Sequence, residues 1–538
     1  MVKQDTGYQE KSPDLGRLAI HLFLTASTYT IRQELLSGLE EFISIPHQAY
    51  CYRLVSEQLH SNDILFRTIY EIALYVETET NLPQRFLQLS VNDLAATEIF
   101  PCVHEIILRK FMRDIENHII DSKTIQQTVI QRRAYVWYDE VRYFYEGILQ
   151  VANMRIFYQA HSAGFHTVEP KNFWEKYTSD YYHMDAYYRR FHWNYTQSLK
   201  NYRPILSDLF ISVKDIVENL YTHWFLSELN GCWSDICADQ LRDYGKILEV
   251  PEQTGFYRRQ VKTASGKIYV IVSDALRYET AVSLAKRLSR EPQSQVSISS
   301  MQSIFPTITK FGMAALLPHR KLSIQTTKSK KDRLAVLADG QSTEASRRDR
   351  ILKTANKKSI ALKYRDIMNM KRTERKELVK SMEIVYCYHD TIDEAGHVGT
   401  SIFEACEIAI DELRNLVRMI THELGGERVL ITADHGFLYT DKPLKEDEKV
   451  DKTTESKQDI EIGRRYAVMQ GDAQPDYLLP VRFLDGGAKY AAFTPRENIR
   501  IKIKGGGINF VHGGVSLQEM VVPVIDYRFL RNSGGVFE

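Results

Sequence analysis

One stretch limits the folds open to this chain more than any other: Arg428-Val-Leu-Ile-Thr-Ala-Asp-His-Gly-Phe437. A short apolar run with β-branched members reads as a buried parallel strand, and its charged pair then falls at the strand's C-terminal end. Open α/β sheets place their chemistry at those ends. There Asp434 and His435 offer a carboxylate and an imidazole to one divalent metal, and Gly436 lets the backbone turn away. For this dipeptide alone, a capping Asp and a surface His are the simpler account. The rest of the chain decides otherwise.

From about residue 256 onward, strand-like and helix-like patterns alternate. Strands are predicted over 268–273, 296–304, 383–388 and 429–433, with helices over 277–288, 309–317 and 401–424. Such alternation argues for a mostly parallel sheet with helices on both faces. Before it, from about Leu15 to Leu248, apolar residues recur at helical spacing and strand-like alternation is hard to find. The expected architecture is an all-α domain of about ten helices over residues 1–255, followed by an α/β domain over 256–538. Two inserts interrupt the second domain. Residues 320–380 carry 19 basic against 7 acidic residues, and residues 441–463 form a charged stretch with few apolar positions that reads as a loop.

At 538 residues the chain exceeds a single core. With 70 basic and 69 acidic residues, any nucleic-acid-binding surface must be local. Six scattered cysteines (51, 102, 232, 237, 387 and 406) form neither a disulfide framework nor a zinc knuckle, so buried thiols in a reducing cytoplasm are expected. No run is apolar and long enough to cross a bilayer, and a polar first segment argues against a signal peptide. Aromatics crowd residues 132–202; a stacking surface for single-stranded nucleic acid is one reading, and amphipathic core is the favoured one.

Ligand-type residues end several elements of the α/β region. Asp274 follows the first strand, and Thr307 follows Ser303-Ile-Phe-Pro at the expected start of a helix. His389-Asp390-Thr-Ile-Asp393-Glu-Ala-Gly-His397 follows the third strand, and Asp434-His435 the fourth. A Gly-rich turn adds His512. Each has a bland alternative: a helix cap for Asp274 or Thr307, a core histidine for His397, a loop residue for His512. Together, three carboxylates and three histidines suit two divalent metals about 4 Å apart, with zinc or manganese favoured over calcium. A hydroxyl beside such a metal gains alkoxide character and becomes a nucleophile.

The order Asp274, Phe305-Pro-Thr-x-Thr, Asp393-x-x-Gly-His397-x-Gly, Ala433-Asp-His-Gly and a late His512 resembles the alkaline phosphatase superfamily, most closely its phosphodiesterase and phosphoglycerate-mutase branches. Val272-Ser-Asp-Ala-Leu-Arg-Tyr-Glu279, Phe305-Pro-Thr to Pro318, and His512-Gly-Gly-Val-Ser-Leu-Gln-Glu-Met-Val-Val-Pro523 narrow the resemblance to the PglZ domain of BREX bacteriophage-defence systems, over roughly 267–527. The resemblance implies one metal on Asp274, Asp434, His435 and the Thr307 hydroxyl, and another on Asp393, His397 and His512. Zinc is favoured, with manganese or magnesium as alternatives. Thr307 would be the nucleophile of a phosphoesterase, with phosphodiesterase or nuclease chemistry favoured. His389 and Asp390 would be alternative or supporting ligands.

Phosphodiesterase members carry Pro-Asn soon after the nucleophile, where this chain has Lys310-Phe-Gly312; Lys310 or Arg277 would replace that phosphate contact. Sulfatase chemistry is excluded, because Thr307 stands where Cys or Ser would be needed. A phosphoglycerate mutase would use a Ser nucleophile and a further domain that is not found. The implied partners are the methyltransferase and ATPase components of BREX and possible DNA substrates, with no membrane. The competing reading is a catalytically weak scaffold that binds partner proteins and DNA.

Overall fold

The computed structural model describes residues 2–9, 12, 14–61, 63–327, 334–398, 401–442, 449–450, 459–470, 475, 477–484, 489–503 and 509–530. The chain divides into two compact units, residues 1–162 with 187–217 and residues 163–186 with 218–538.

The first unit is helical among its described residues, its longest helix spanning Tyr138–His161. Its aromatics largely form core: Trp137, Phe144 and Tyr145 are buried, and the Trp137 indole donates to the Glu98 carbonyl at 2.9 Å. In the second unit Trp174, Tyr181 and Tyr182 are likewise buried. The amphipathic-core account therefore holds for these residues, because a ring with one polar tip buries most of its area and needs only one partner.

The second unit is built on a six-stranded sheet: β1 (Ile268–Ser273), β2 (Ser294–Gln302), β3 (Ser359–Lys363), β4 (Ile384–His389), β5 (Arg428–Thr432) and β6 (Val521–Phe529), in the order β2-β6-β5-β1-β4-β3. β1 pairs in parallel with β4 and β5, and β3 with β4, while β6 runs antiparallel to both of its neighbours. β1 reads Ile-Tyr-Val-Ile-Val-Ser and is buried throughout, as a strand flanked on both sides must be. Because β6 is antiparallel, its entry loop opens at the edge where the parallel strands end.

Four helices matter for the site: α1 (Tyr278–Leu288), α2 (Thr309–Ala315), α3 (Thr391–Val398) and α4 (Ile402–His422). α4 starts at Ser401, whose hydroxyl accepts from the Glu404 amide, and it buries Phe403, Ala409, Ile410, Leu413 and Val417 on one face while packing against α1. The α/β architecture, with a mostly parallel sheet and a largely helical region before it, is the expected one.

The division into compact units cuts the helical stretch differently from a single boundary at residue 255. Helical residues 163–186 and 218–255 pack with the α/β region; the Trp233 indole, for example, donates to the Val515 carbonyl at 2.7 Å. Periodicity reveals a helix and its apolar face, but not which core that face joins.

The basic insert is folded over much of its length. Leu322–Thr326, Leu334–Ala338 and Gln341–Ser342 form a three-stranded antiparallel sheet, and β3 from the same stretch becomes an edge of the main sheet. Most of the charged stretch 441–463 lies outside the described residues. Its end, Asp459–Ile462, is an edge strand of a four-stranded antiparallel sheet with Ala467–Gln470, Tyr490–Pro495 and Leu478–Val481. Among the described residues no helix is long and apolar enough to cross a membrane.

Candidate metal centre

The ends of β1 and β5, the helix α3 after β4, the helix α2 after β2 and the loop entering β6 supply the candidate residues. Two groups emerge in which the ligand atoms lie within 4.8 Å of one another: Asp274, Asp434 and His435, and Asp393, His435 and His512. His435 belongs to both. The first group joins two carboxylates, Asp274 and Asp434, to the imidazole of His435. The second brings Asp393 and His512 together, with His435 beside them. The side chain of His397 lies outside the described residues.

Asp274 and Asp434 are buried, and Asp274 Oδ1 and Asp434 Oδ2 accept no hydrogen bond among the described residues. His435 Nε2 stands 3.6 Å from the first and 3.3 Å from the second. Buried carboxylate oxygens without donors are costly unless a cation or a proton compensates them. Burial first, and then the neighbouring carboxylates, push the Asp274 carboxyl well above its usual range. Burial pushes Asp434 up to about 6, with Asp393 adding to the rise and the Ala275 amide opposing it. The donor set fits divalent metal.

Both imidazoles are turned for coordination. His435 Nδ1 meets the Gly436 carbonyl at 2.9 Å and His512 Nδ1 meets the Thr307 carbonyl at 3.3 Å. A carbonyl only accepts, so each Nδ1 carries the proton and each Nε2 presents a lone pair. The two rings stack at 4.2 Å with 9° between their planes. Burial and the adjacent His435 lower the His512 pKa to about 4, which keeps it neutral and ligand-ready at pH 7.

Thr307 is fully buried. Its hydroxyl donates to the Gly514 carbonyl at 2.7 Å and accepts from the Gly513 amide at 3.1 Å. It staples the His512 loop. Thr309, two residues later, is only half-buried and begins α2, and its hydroxyl lies 3.2 Å from His435 Nε2. Of the two hydroxyls, that of Thr309 lies beside His435, while that of the expected Thr307 is held by the Gly513–Gly514 turn. Both threonines of the Thr-x-Thr spacing flank the predicted helix start, and nothing local distinguishes the one that faces His435.

The supporting candidates are placed elsewhere. Arg277 is buried, with its guanidinium 2.7 Å from Asp185 and lying over the Phe437 ring. Asp185 also accepts from Tyr177 and Tyr221 at 2.8 and 2.6 Å. Lys310 donates to both oxygens of Glu461 at 2.6 and 2.7 Å. Both cations are thus committed to carboxylates of their own. His389 is buried between the Ser273 hydroxyl and Glu412, at 2.9 Å from each. Its carbonyl accepts from the Asp274 amide at 2.7 Å, which fixes where the chain leaves β1. His389 therefore supports the centre from behind. Asp390 is exposed and lies 3.8 Å from Arg365.

Several positioning residues carry no ligand-type signal in the sequence. Gln253 is buried and donates to the carbonyls of Ala433 and Asp434 at 3.0 and 2.8 Å, and the Ser303 hydroxyl donates to the same Asp434 carbonyl at 2.7 Å. A Cβ on Gly312 would stand 2.3 Å from that carbonyl, so glycine at this position lets α2 approach the Asp434 turn. Glu519 is buried and accepts from Gly514 N, Ser516 N, the Ser516 hydroxyl and Arg465. The Ser516-x-x-Glu519 capping box is the one readable sign of this arrangement.

Comparison with known proteins agrees with the resemblance. Residues 256–527 match the family model for the BREX system PglZ alkaline phosphatase-like domain. The chain is 28% identical over 551 residues to the alkaline phosphatase-like protein BrxZ of Escherichia coli O9:H4 (strain HS), covering 99% of this chain and 62% of that protein. It is also 28% identical over 543 residues to the alkaline phosphatase-like protein PglZ of Bacillus cereus (strain H3081.97), covering 98% of this chain and 61% of that one. The chain thus spans less than two thirds of these relatives. Among solved structures, it is similar to murine ectonucleotide pyrophosphatase/phosphodiesterase 5 (11% identity, TM-score 0.33, 49% of this chain and 88% of that one). It is also similar to phosphonoacetate hydrolase from Sinorhizobium meliloti 1021 (11% identity, TM-score 0.31, 51% and 92%).

Proposed function

The chain belongs to the PglZ family, and from that premise we propose that it is a divalent-metal phosphoesterase, a phosphodiesterase in preference to a monoesterase, with Thr309 as its nucleophile. The observation that carries this reading is the Thr309 hydroxyl, 3.2 Å from His435 Nε2 in a centre where His435 belongs to two ligand groups. Thr307 has its hydroxyl engaged by Gly513 and Gly514 and serves the site as a positioning residue instead.

Asp274, Asp434 and His435 would hold one metal, and Asp393 and His512 the other. The mixed carboxylate and imidazole donors favour zinc. When bound, such metals supply Lewis-acid neutralisation of phosphate charge and favour the deprotonated form of a nearby hydroxyl. Thr309 Oγ1 attacks phosphorus, forming a P–O bond as the ester oxygen opposite it departs and takes up a proton. Water then cleaves the phosphothreonine and restores the hydroxyl, releasing the phosphoryl product. Asp274 and Asp434 are held through the His389, Gln253 and Ser303 contacts, so the centre requires little rearrangement during turnover.

The family's BREX setting supports action beside other defence components, including methyltransferase and ATPase proteins, with DNA as a candidate phosphodiester. The decisive experiment assays an aryl phosphodiester, an aryl monoester and plasmid DNA with zinc, manganese or magnesium, comparing wild type with Thr309→Ala and Thr307→Ala. Metal-dependent turnover abolished by Thr309→Ala supports the reading. Metal binding without any turnover in the wild type favours the scaffold.

A further inference from the structure

Apart from the metal centre, the second unit has a cavity of about 520 Å³ lined by Arg258, Arg259, Lys262, His319 and Arg320 among others. None of the five metal-ligand candidates described above lines it. We propose that it is a second anion site, taking a nucleotide-sized ligand with two or more adjacent phosphates.

Arg258 and Arg259 project from a π-helical turn, Tyr257–Val261, and Lys262 ends it. The facing wall is the Pro318–Arg320 turn that follows α2. Arg258, Arg259, Lys262 and Arg320 therefore share one concavity.

The lining also carries two acids, each with partners of its own. Glu252 and Asp339 are the two of them. Glu252 pairs with Lys246 at 2.6 Å, and the Asp339 carboxylate accepts from the amides of Arg320 and Lys321 at distances from 2.9 to 3.1 Å. Among the described residues, none of Arg258, Arg259, Lys262 and Arg320 has a carboxylate within ion-pair distance. Arg259 instead donates to the Glu252 carbonyl. Burial lowers the Arg259 pKa, and the Arg258 charge adds to the fall against the opposing pull of Glu252.

Like charges gathered in a cleft raise the local anion concentration and are relieved by a bound polyanion. Guanidinium groups suit phosphate through paired N–H donors. The volume lies within the range of small-molecule sites, roughly 300–1,000 Å³, and exceeds what one orthophosphate needs.

The test is calorimetry and thermal shift in chelator, which keeps divalent metal from recruiting phosphate to the catalytic centre. Pyrophosphate, ATP, inorganic phosphate and a short single-stranded oligonucleotide would be titrated into wild type, Arg258→Ala/Lys262→Ala, Arg320→Ala and Asp274→Asn. The proposal expects pyrophosphate and ATP to bind and raise Tm. Their affinity should fall about tenfold or more in the double variant and in Arg320→Ala, as loss of a charge-assisted phosphate contact does, and stay unchanged in Asp274→Asn. Absence of binding to the wild type, or equal binding by the pocket variants, overturns it. Binding of the oligonucleotide alone also overturns it and makes the cleft a nucleic-acid surface. Because the readout is binding rather than turnover, an inactive metal centre would not imitate failure here.

Discussion

The His512 ring and the Thr307 backbone are joined directly: Nδ1 of His512 lies 3.3 Å from the Thr307 carbonyl, while the Thr307 hydroxyl binds the two glycines that follow the histidine. The threonine thus orients an imidazole through its backbone and fixes the imidazole's loop through its side chain. Loss of this hydroxyl should loosen a metal ligand, and loss of the Thr309 hydroxyl should remove the reaction. Thr309→Ala is expected to lower kcat by about a thousandfold or more, with metal content intact. Thr307→Val is expected to weaken metal affinity about 10- to 100-fold, as loss of a ligand's supporting partner does, with activity recovering at saturating metal. Metal titration of both variants, with turnover followed in parallel, checks the division of roles.

Metal binding should depend on pH through Asp434. Its carboxyl is raised from 3.8 to about 6, so the folded protein holds this proton more tightly than the unfolded chain. In metal-free protein the group favours folding at low pH, and that contribution fades as pH rises from about 3.8 through 6. Metal must displace the proton from Asp434, and from Asp274, whose carboxyl is also raised, so affinity is expected to climb with pH through about 6. Calorimetric titrations in buffers of different ionisation enthalpy would show proton release on metal binding around and below that pH. A flat affinity profile from about one pH unit below this value to one above it would contradict the assignment.

Gly312→Ala should damage the site from outside the ligand set. Its Cβ would meet the Asp434 carbonyl at 2.3 Å, and overpacking of this kind costs about 1–3 kcal/mol. The expected result is a lower denaturation midpoint together with weaker metal binding, measured by urea unfolding and metal titration. A fall in stability with metal affinity unchanged would mean that α2 shifts and the Asp434 turn does not.

The Arg465–Glu519 pair underlies the His512 loop. Burial on its own would raise the Glu519 carboxyl, but Arg465 and the Ser516 and Gly514 donors hold it below its usual range. A depressed carboxyl contributes stability that is present above the unfolded value near 4.5 and is lost as pH falls through the lower folded value. Glu519→Gln should therefore destabilise the protein at neutral pH, by about 3–5 kcal/mol if Arg465 is left buried without its partner. The difference from wild type should shrink on acidification. Thermal unfolding of both proteins from neutral pH down to about pH 3 measures it.

Arg277→Met should act on folding and not on substrate binding. Its guanidinium is committed to the buried Asp185, so removing it leaves that carboxylate without its cation. Stability should fall while KM for a phosphodiester stays close to the wild-type value. A selective rise in KM would return Arg277 to the phosphate.

The sequence alone determined the parallel-strand core and which of its strand ends carry ligand-type residues. The run Ile268–Ser273 can be read as a buried strand because β-branched residues without alternation suit a strand covered on both faces, and Asp274, Asp434 and His435 follow from where such strands stop. Tertiary structure decided what local pattern does not encode. Which of Thr307 and Thr309 faces His435 depends on the Gly513–Gly514 loop, more than 200 residues away in the chain. Arg277 and Lys310 look like phosphate ligands until Asp185 and Glu461 are brought against them. Hydrogen bonds and ion pairs between distant segments arise only when the whole sheet closes, and a residue's periodicity carries no record of the partner it will meet.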